Sequence, residues 1–89
     1  MKIKEGFVLK KIAVNTIAVP VGKESLSFKA MIKINDTGAF LWELLEKGAD
    51  CESLVSAVTD EYGITEEAAS ADVNDFIQNL RNADILTDA

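Results

Sequence analysis

Eighty-nine residues, 48% of them hydrophobic and 27% charged, suffice for one small core and not for two, so residues 1–89 are expected to form a single domain. Fifteen acids against nine bases leave a net charge of −6, which opposes a general phosphate-binding surface. With no histidine and one cysteine, the chain has no Ser-His-Asp or Cys-His nucleophile, no His-rich zinc site and no disulfide framework.

Charge and hydrophobic period change together along the chain. Residues 1–34 carry a net +5 and alternate in the manner of strands, whereas residues 35–89 carry −11 and follow helical spacing. The expected order is therefore strands first and helices after.

The first strand is expected over 7–13 and the second over 16–21, with Asn15 at the turn and Ile17, Val19 and Val21 on one face. Pro20 cannot donate to a ladder, so the second strand must turn that position outward or end near it. A polar connection over 22–27 leads to the third strand, 28–34, in which Phe28, Ala30, Ile32 and Ile34 point one way and Lys29, Met31 and Lys33 the other.

The helical half is punctuated by caps. Asn35 and Asp36 precede Phe40, Leu41, Leu44 and Leu45, and Gly48 is placed to end that helix in a left-handed conformation, giving 37–47. Asp50 caps a second helix with the stripe Cys51, Leu54, Val55, Val58 and Tyr62, stopped by Gly63. Thr65 caps a third, with Glu66 and Glu67 complementing its positive end and Ala69, Val73, Phe76, Ile77 and Leu80 as its stripe. Ile85 and Leu86 form an apolar tail expected to fold back on the core.

Taken together, these elements predict an α+β protein: a winged helix-turn-helix in which a three-stranded antiparallel N-terminal sheet is followed by three helices. That arrangement brings to mind a DNA-binding transcriptional regulator, but a recognition helix bearing Glu66, Glu67, Asp72 and Asp75 against Arg81 would repel phosphate. The acid pairs Asp60/Glu61, Glu66/Glu67 and Asp72/Asp75 fit a solvated helical face better than acid-base chemistry or a hard-cation site, and no metal or cofactor is expected. The five glycines are isolated stops or turns and cradle no phosphate.

Cys51 is expected to pack with its stripe, and the glycosylation triplet Asn35-Asp36-Thr37 is expected to act as a helix cap. Trp42 lies one position off the clearest stripe and suits either a core edge or an interaction surface. No apolar stretch is long enough for a spanning helix and no secretory signal is visible, so no membrane partner and a cytoplasmic setting are expected.

The third strand carries the functional reading. A three-stranded sheet leaves two edges, and 28–34 contains neither proline nor glycine, so it can accept a peptide strand by backbone pairing. Lys29 and Lys33 fit capture, or act as gatekeepers against edge-to-edge aggregation, which is the favoured reading of the lysines taken alone. The same edge admits a second copy, so a homodimer, with or without exchange of the 22–27 connection, is compatible with the sequence.

At Ile34-Asn35-Asp36-Thr37-Gly38-Ala39-Phe40-Leu41-Trp42-Glu43-Leu44-Leu45, then Gly48, Leu54-Val55 with Tyr62, and Asp72-Val73 with Phe76-Ile77 and Leu80, the chain resembles the PqqD family. The match runs over about 34 to 86, closes on the pair Ile85-Leu86, and is specific in its order and spacing. These proteins are precursor-peptide chaperones named for pyrroloquinoline quinone biosynthesis.

The resemblance implies a non-catalytic recognition element for ribosomally made, post-translationally modified peptides, acting in cofactor or peptide natural product biosynthesis. A precursor's leader would add as a strand beside the third strand and against the third helix, for presentation to a separate modifying enzyme, often a radical SAM enzyme. Carried onto this chain, the strand contacts would be Lys29, Ala30, Met31, Ile32 and Lys33. The groove wall would come from Asp72, Val73, Phe76 and Leu80, with Val73, Phe76 and Leu80 also serving the core. No nucleic acid partner is implied.

Overall fold

The computed structural model describes residues 1–21 and 32–87. The expected 22–27 connection and the first part of the expected third strand lie outside them. Strands β1 (Lys2–Ile3), β2 (Phe7–Ile12), β3 (Asn15–Pro20) and β4 (Ile32–Ile34) precede helices α1 (Asp36–Lys47), α2 (Cys51–Tyr62) and α3 (Glu66–Asn82), and β5 (Leu86–Thr87) follows. The α+β expectation is met: β2, β3 and β4 form a three-stranded antiparallel sheet with β3 in the centre, and three helices come after it among the described residues.

The β2–β3 hairpin turns through Ala13 and Val14, with Ala13 at φ 56, because the two-residue turns that match strand twist require positive φ. Asn15 is therefore not the turn residue: it opens β3 and pairs with Ile12. Pro20, paired with Phe7, sits at the end of β3, where its missing N–H matters least.

Register and burial fix the faces of the sheet. Leu9, Ala18 and Ile32 align across the three strands, as do Thr16 and Ile34, and Ala18 and Ile34 are buried against the helices. Ile17 and Val19 share a face as expected, but it is the outer one: they align with Lys10, Lys33 and Val8, and both are half-buried. Ala18, on the central strand, is fully enclosed.

Each helix begins at the anticipated cap. Gly38 N–H donates to Asn35 Oδ1 (2.7 Å), Ser53 N–H to Asp50 Oδ1 (2.8 Å) and Ala68 N–H to Thr65 Oγ1 (3.1 Å). The Ser53 N–H holds the Asp50 carboxyl below its ordinary carboxylate range, since the bond favours the ionised form. Gly63 is left-handed (φ 63, ψ 32), whereas Gly48, at φ 95 and ψ 129, leaves the helical region altogether instead of adopting the expected left-handed cap. After α3, Ile85 N–H donates to Leu80 O and Asp84 N–H to Arg81 O with Asp84 at φ 60, the paired bonding that closes a helix and turns the chain back.

That reversal delivers the tail to the core. Ile85 and Leu86 are buried, as expected, and Leu86–Thr87 also pairs with Lys2–Ile3 in a two-stranded sheet that the sequence did not reveal. The clasp is reinforced by Lys4 N–H to Ile85 O (2.8 Å) and by a 2.8 Å ion pair between Lys4 Nζ and Asp84 Oδ1. Met1 and Ala49 exchange two bonds: the Met1 ammonium donates to Ala49 O and Ala49 N–H to Met1 O.

The core gathers Leu41, Trp42 and Leu45 from α1, Leu54 and Val58 from α2, and Ala69, Val73, Ile77 and Leu80 from α3. Trp42 is thus a core residue, 1% exposed. Cys51 departs from expectation and is exposed. The packed stripe of α2 starts one turn later, at Leu54, and Cys51 overhangs it to line an open groove with Val55 and Thr59. Tyr62, at the far end of that stripe, is also exposed, its ring edge-on to Phe40 at 5.8 Å.

Candidate functional site

The site is built where three elements converge on an edge. β4 pairs with β3 on one side only, so among the described residues its other side is open. In an antiparallel ladder alternate residues direct their N–H and C=O groups to opposite sides, so an edge strand presents unpaired backbone groups at every second residue. Beside this edge α3 runs with Asp72, Asp75, Phe76, Asn79 and Leu80 on one face, as a helix aligns positions three, four and seven apart.

Between strand and helix lies a cleft of about 320 Å³, closed at its base by the start of α1, where Thr37, Gly38 and Leu41 contribute. Gly38 sets how closely the walls approach. A Cβ there would stand 2.8 Å from Ile34 Cγ2, 3.0 Å from Phe76 Cε1 and 3.1 Å from Asn35 Oδ1, so only glycine lets α1 begin this near both the edge strand and α3.

The residues expected to form a binding groove separate into three groups. Lys29, Ala30 and Met31 lie outside the described residues. Ile32 and Lys33 on β4 and Asp72, Phe76 and Leu80 on α3 all line the cleft, from opposite sides. Val73 is wholly buried and supports α3 from the core without lining it. Asp75 and Asn79 were missed, although their spacing from Asp72 and Phe76 already put them on the same face.

The walls differ in character. Ile32, Phe76 and Leu80 supply apolar surface, Lys33 stands exposed on the strand side, and Asp72 and Asp75 stand exposed on the helix side. Neither carboxylate has an ion-pair partner among the described residues. No group of three or more His, Cys, Asp or Glu side chains there is placed to hold a metal ion, and no helix there is long and apolar enough to cross a membrane.

The profile of the family described as Coenzyme PQQ synthesis protein D (PqqD) matches residues 16–86, which take in β3 after its first residue, β4 and every helix described above. The chain belongs to the PqqD family. Among solved structures, TbiB1 in complex with the TbiA(beta) leader peptide is similar to this PqqD-family chain with a TM-score of 0.77 at 26% identity, over 100% of this chain and 98% of that one. No curated protein gives a significant match.

Proposed function

We propose that this chain, on a winged helix-turn-helix arrangement, binds the leader of a ribosomally synthesised precursor peptide by strand addition to β4. It acts without catalysis and presents the peptide to a separate modifying enzyme, for which a radical SAM enzyme is one class. The observation that carries this reading is the β4 edge, open among the described residues, with a cleft of about 320 Å³ lined by β4 and α3, in a chain of the PqqD family. Backbone pairing along β4 supplies affinity that is independent of sequence, and the cleft side chains supply choice. The proposed contacts are Ile32 and Lys33 on the strand and Asp72, Phe76 and Leu80 on the helix, with Val73 backing the wall, together with Lys29, Ala30 and Met31, which lie outside the described residues.

A DNA-binding role gains nothing from the cleft, because α3 carries Glu66, Glu67, Asp72 and Asp75 and would meet phosphate with like charge. The test is to immobilise the protein, pass native extract over it and identify retained peptides and enzymes by mass spectrometry. The captured peptide is then resynthesised with single backbone N-methyl groups at successive positions. Strand addition predicts loss of binding at every second position of the paired segment, since only alternate N–H groups face the protein. Loss without that alternation, or retention only of duplex DNA, would overturn the reading.

A further inference from the structure

The helix wall of the cleft is acidic while the exposed Lys33 stands on the strand side, and the inference drawn from that wall rests on the strand-addition reading above. Asp72 and Asp75 are neighbours on α3, both exposed and both lining the cleft, and neither is neutralised by a described residue. One turn on, Phe76 lines the same cleft and is half-buried, with Ile32 opposite on the strand. An added strand turns alternate side chains toward α3. Two positions along that strand span about 6.6 Å. Four residues of helix, Asp72 to Phe76, rise about 6 Å. The two spacings are commensurate, so an added strand running along α3 can set residues i and i+2 against an acidic and an apolar position of that helix.

We propose that the leader recognised by this protein carries, within the segment that pairs with β4, a lysine or arginine two positions from a large apolar residue. The basic side chain faces Asp72 and Asp75, and the apolar one packs between Phe76 and Ile32. An acidic residue in the first position is rejected, because it would enter a cleft wall that already holds two carboxylates with no ion-pair partner among the described residues. The partner is thereby narrowed from any strand-forming peptide to one with a basic and apolar inward face.

The test is selection from a displayed library of random twelve-residue peptides by the full chain and by its Asp72→Lys/Asp75→Lys variant. Both substitutions are at exposed helix positions, where lysine is the better helix former, and circular dichroism and melting establish that the fold is kept. The full chain is expected to enrich a basic residue two positions from an apolar one, and the variant an acidic residue in that place. In a resynthesised selected peptide, exchanging the basic residue for glutamate should weaken binding to the full chain by about fivefold or more, with a smaller ratio in high salt. Selected peptides that bind with the alternating N-methyl pattern but without this charge preference would overturn the inference and leave strand addition standing. Failure of the full chain to enrich any peptide would overturn both.

Discussion

Gly38→Ala is the perturbation that most directly couples the fold to the cleft. In open space the change would stabilise the start of α1 by up to about 1 kcal/mol, since alanine loses less backbone freedom on folding. The space is not open: the new methyl would meet Ile34 Cγ2 at 2.8 Å and Phe76 Cε1 at 3.0 Å, and crowd the cap acceptor Asn35 Oδ1 at 3.1 Å. Ile34 is buried and β-branched, so it cannot rotate away cheaply, and relief must come from moving β4. Overpacking of this kind costs about 1–3 kcal/mol, which cancels or outweighs the helix gain and leaves a net loss of up to about 2.5 kcal/mol. For a chain of this size each kilocalorie lowers the melting temperature by about 4–8 °C. Urea unfolding gives the stability and fluorescence anisotropy with a captured peptide gives the binding. Affinity should fall along with stability, because the displaced strand is the one that would pair with the peptide. Gly63→Ala is the control: nothing lies within 4 Å, so it should destabilise by about 1–2 kcal/mol through its left-handed backbone and leave binding unchanged. A Gly38→Ala protein more stable than the parent, with unaltered affinity, would refute the reasoning.

Leu54→Ala, at a fully buried position on α2, should cost about 2–5 kcal/mol in urea unfolding and leave the affinity of the surviving folded protein intact. The Asp50 cap gives a pH signature: its folded carboxyl is lowered by the Ser53 N–H, so its contribution is complete above the unfolded value of about 3.9 and is lost as pH falls through the folded value. Asp50→Asn, which keeps the acceptor and removes the titration, should therefore show a flatter loss of stability below about pH 4 when urea midpoints are compared at neutral and acid pH. Lys33→Glu should leave the melting temperature unchanged, since the side chain is exposed, while weakening capture of a peptide whose outward face is acidic by about fivefold at low salt. Equal affinity for parent and variant in a salt titration would dismiss that electrostatic contribution.

The helical half was legible in the sequence because its boundaries are written in side-chain chemistry. Asn35, Asp50 and Thr65 each supply an acceptor for an amide three residues on, and no tertiary contact is needed to read that. The strands were harder. Alternation placed Ile17 and Val19 together but could not say that the face between them, with Ala18, is the buried one, since that depends on which layer lies above. The β1–β5 clasp was invisible because two residues at each end carry no period, and its register is set by contacts between distant positions. Cys51 continued the apolar spacing of α2 beyond the region that neighbouring helices cover. For the cleft, Ile32, Lys33, Asp72, Phe76 and Leu80 followed from the family resemblance, whereas the role of Gly38 as a spacer requires three distances that only the packed chain defines.

The clasp between Lys2–Ile3 and Leu86–Thr87 closes nearly the whole chain into a ring. Contacts so remote in sequence form only after the intervening elements have shortened the gap, so the clasp belongs to the late side of the folding barrier. Substitutions that weaken it should then hasten unfolding and leave the folding rate almost untouched. The shortest sheet of the fold would thus govern how long the native state lasts more than how quickly it is reached.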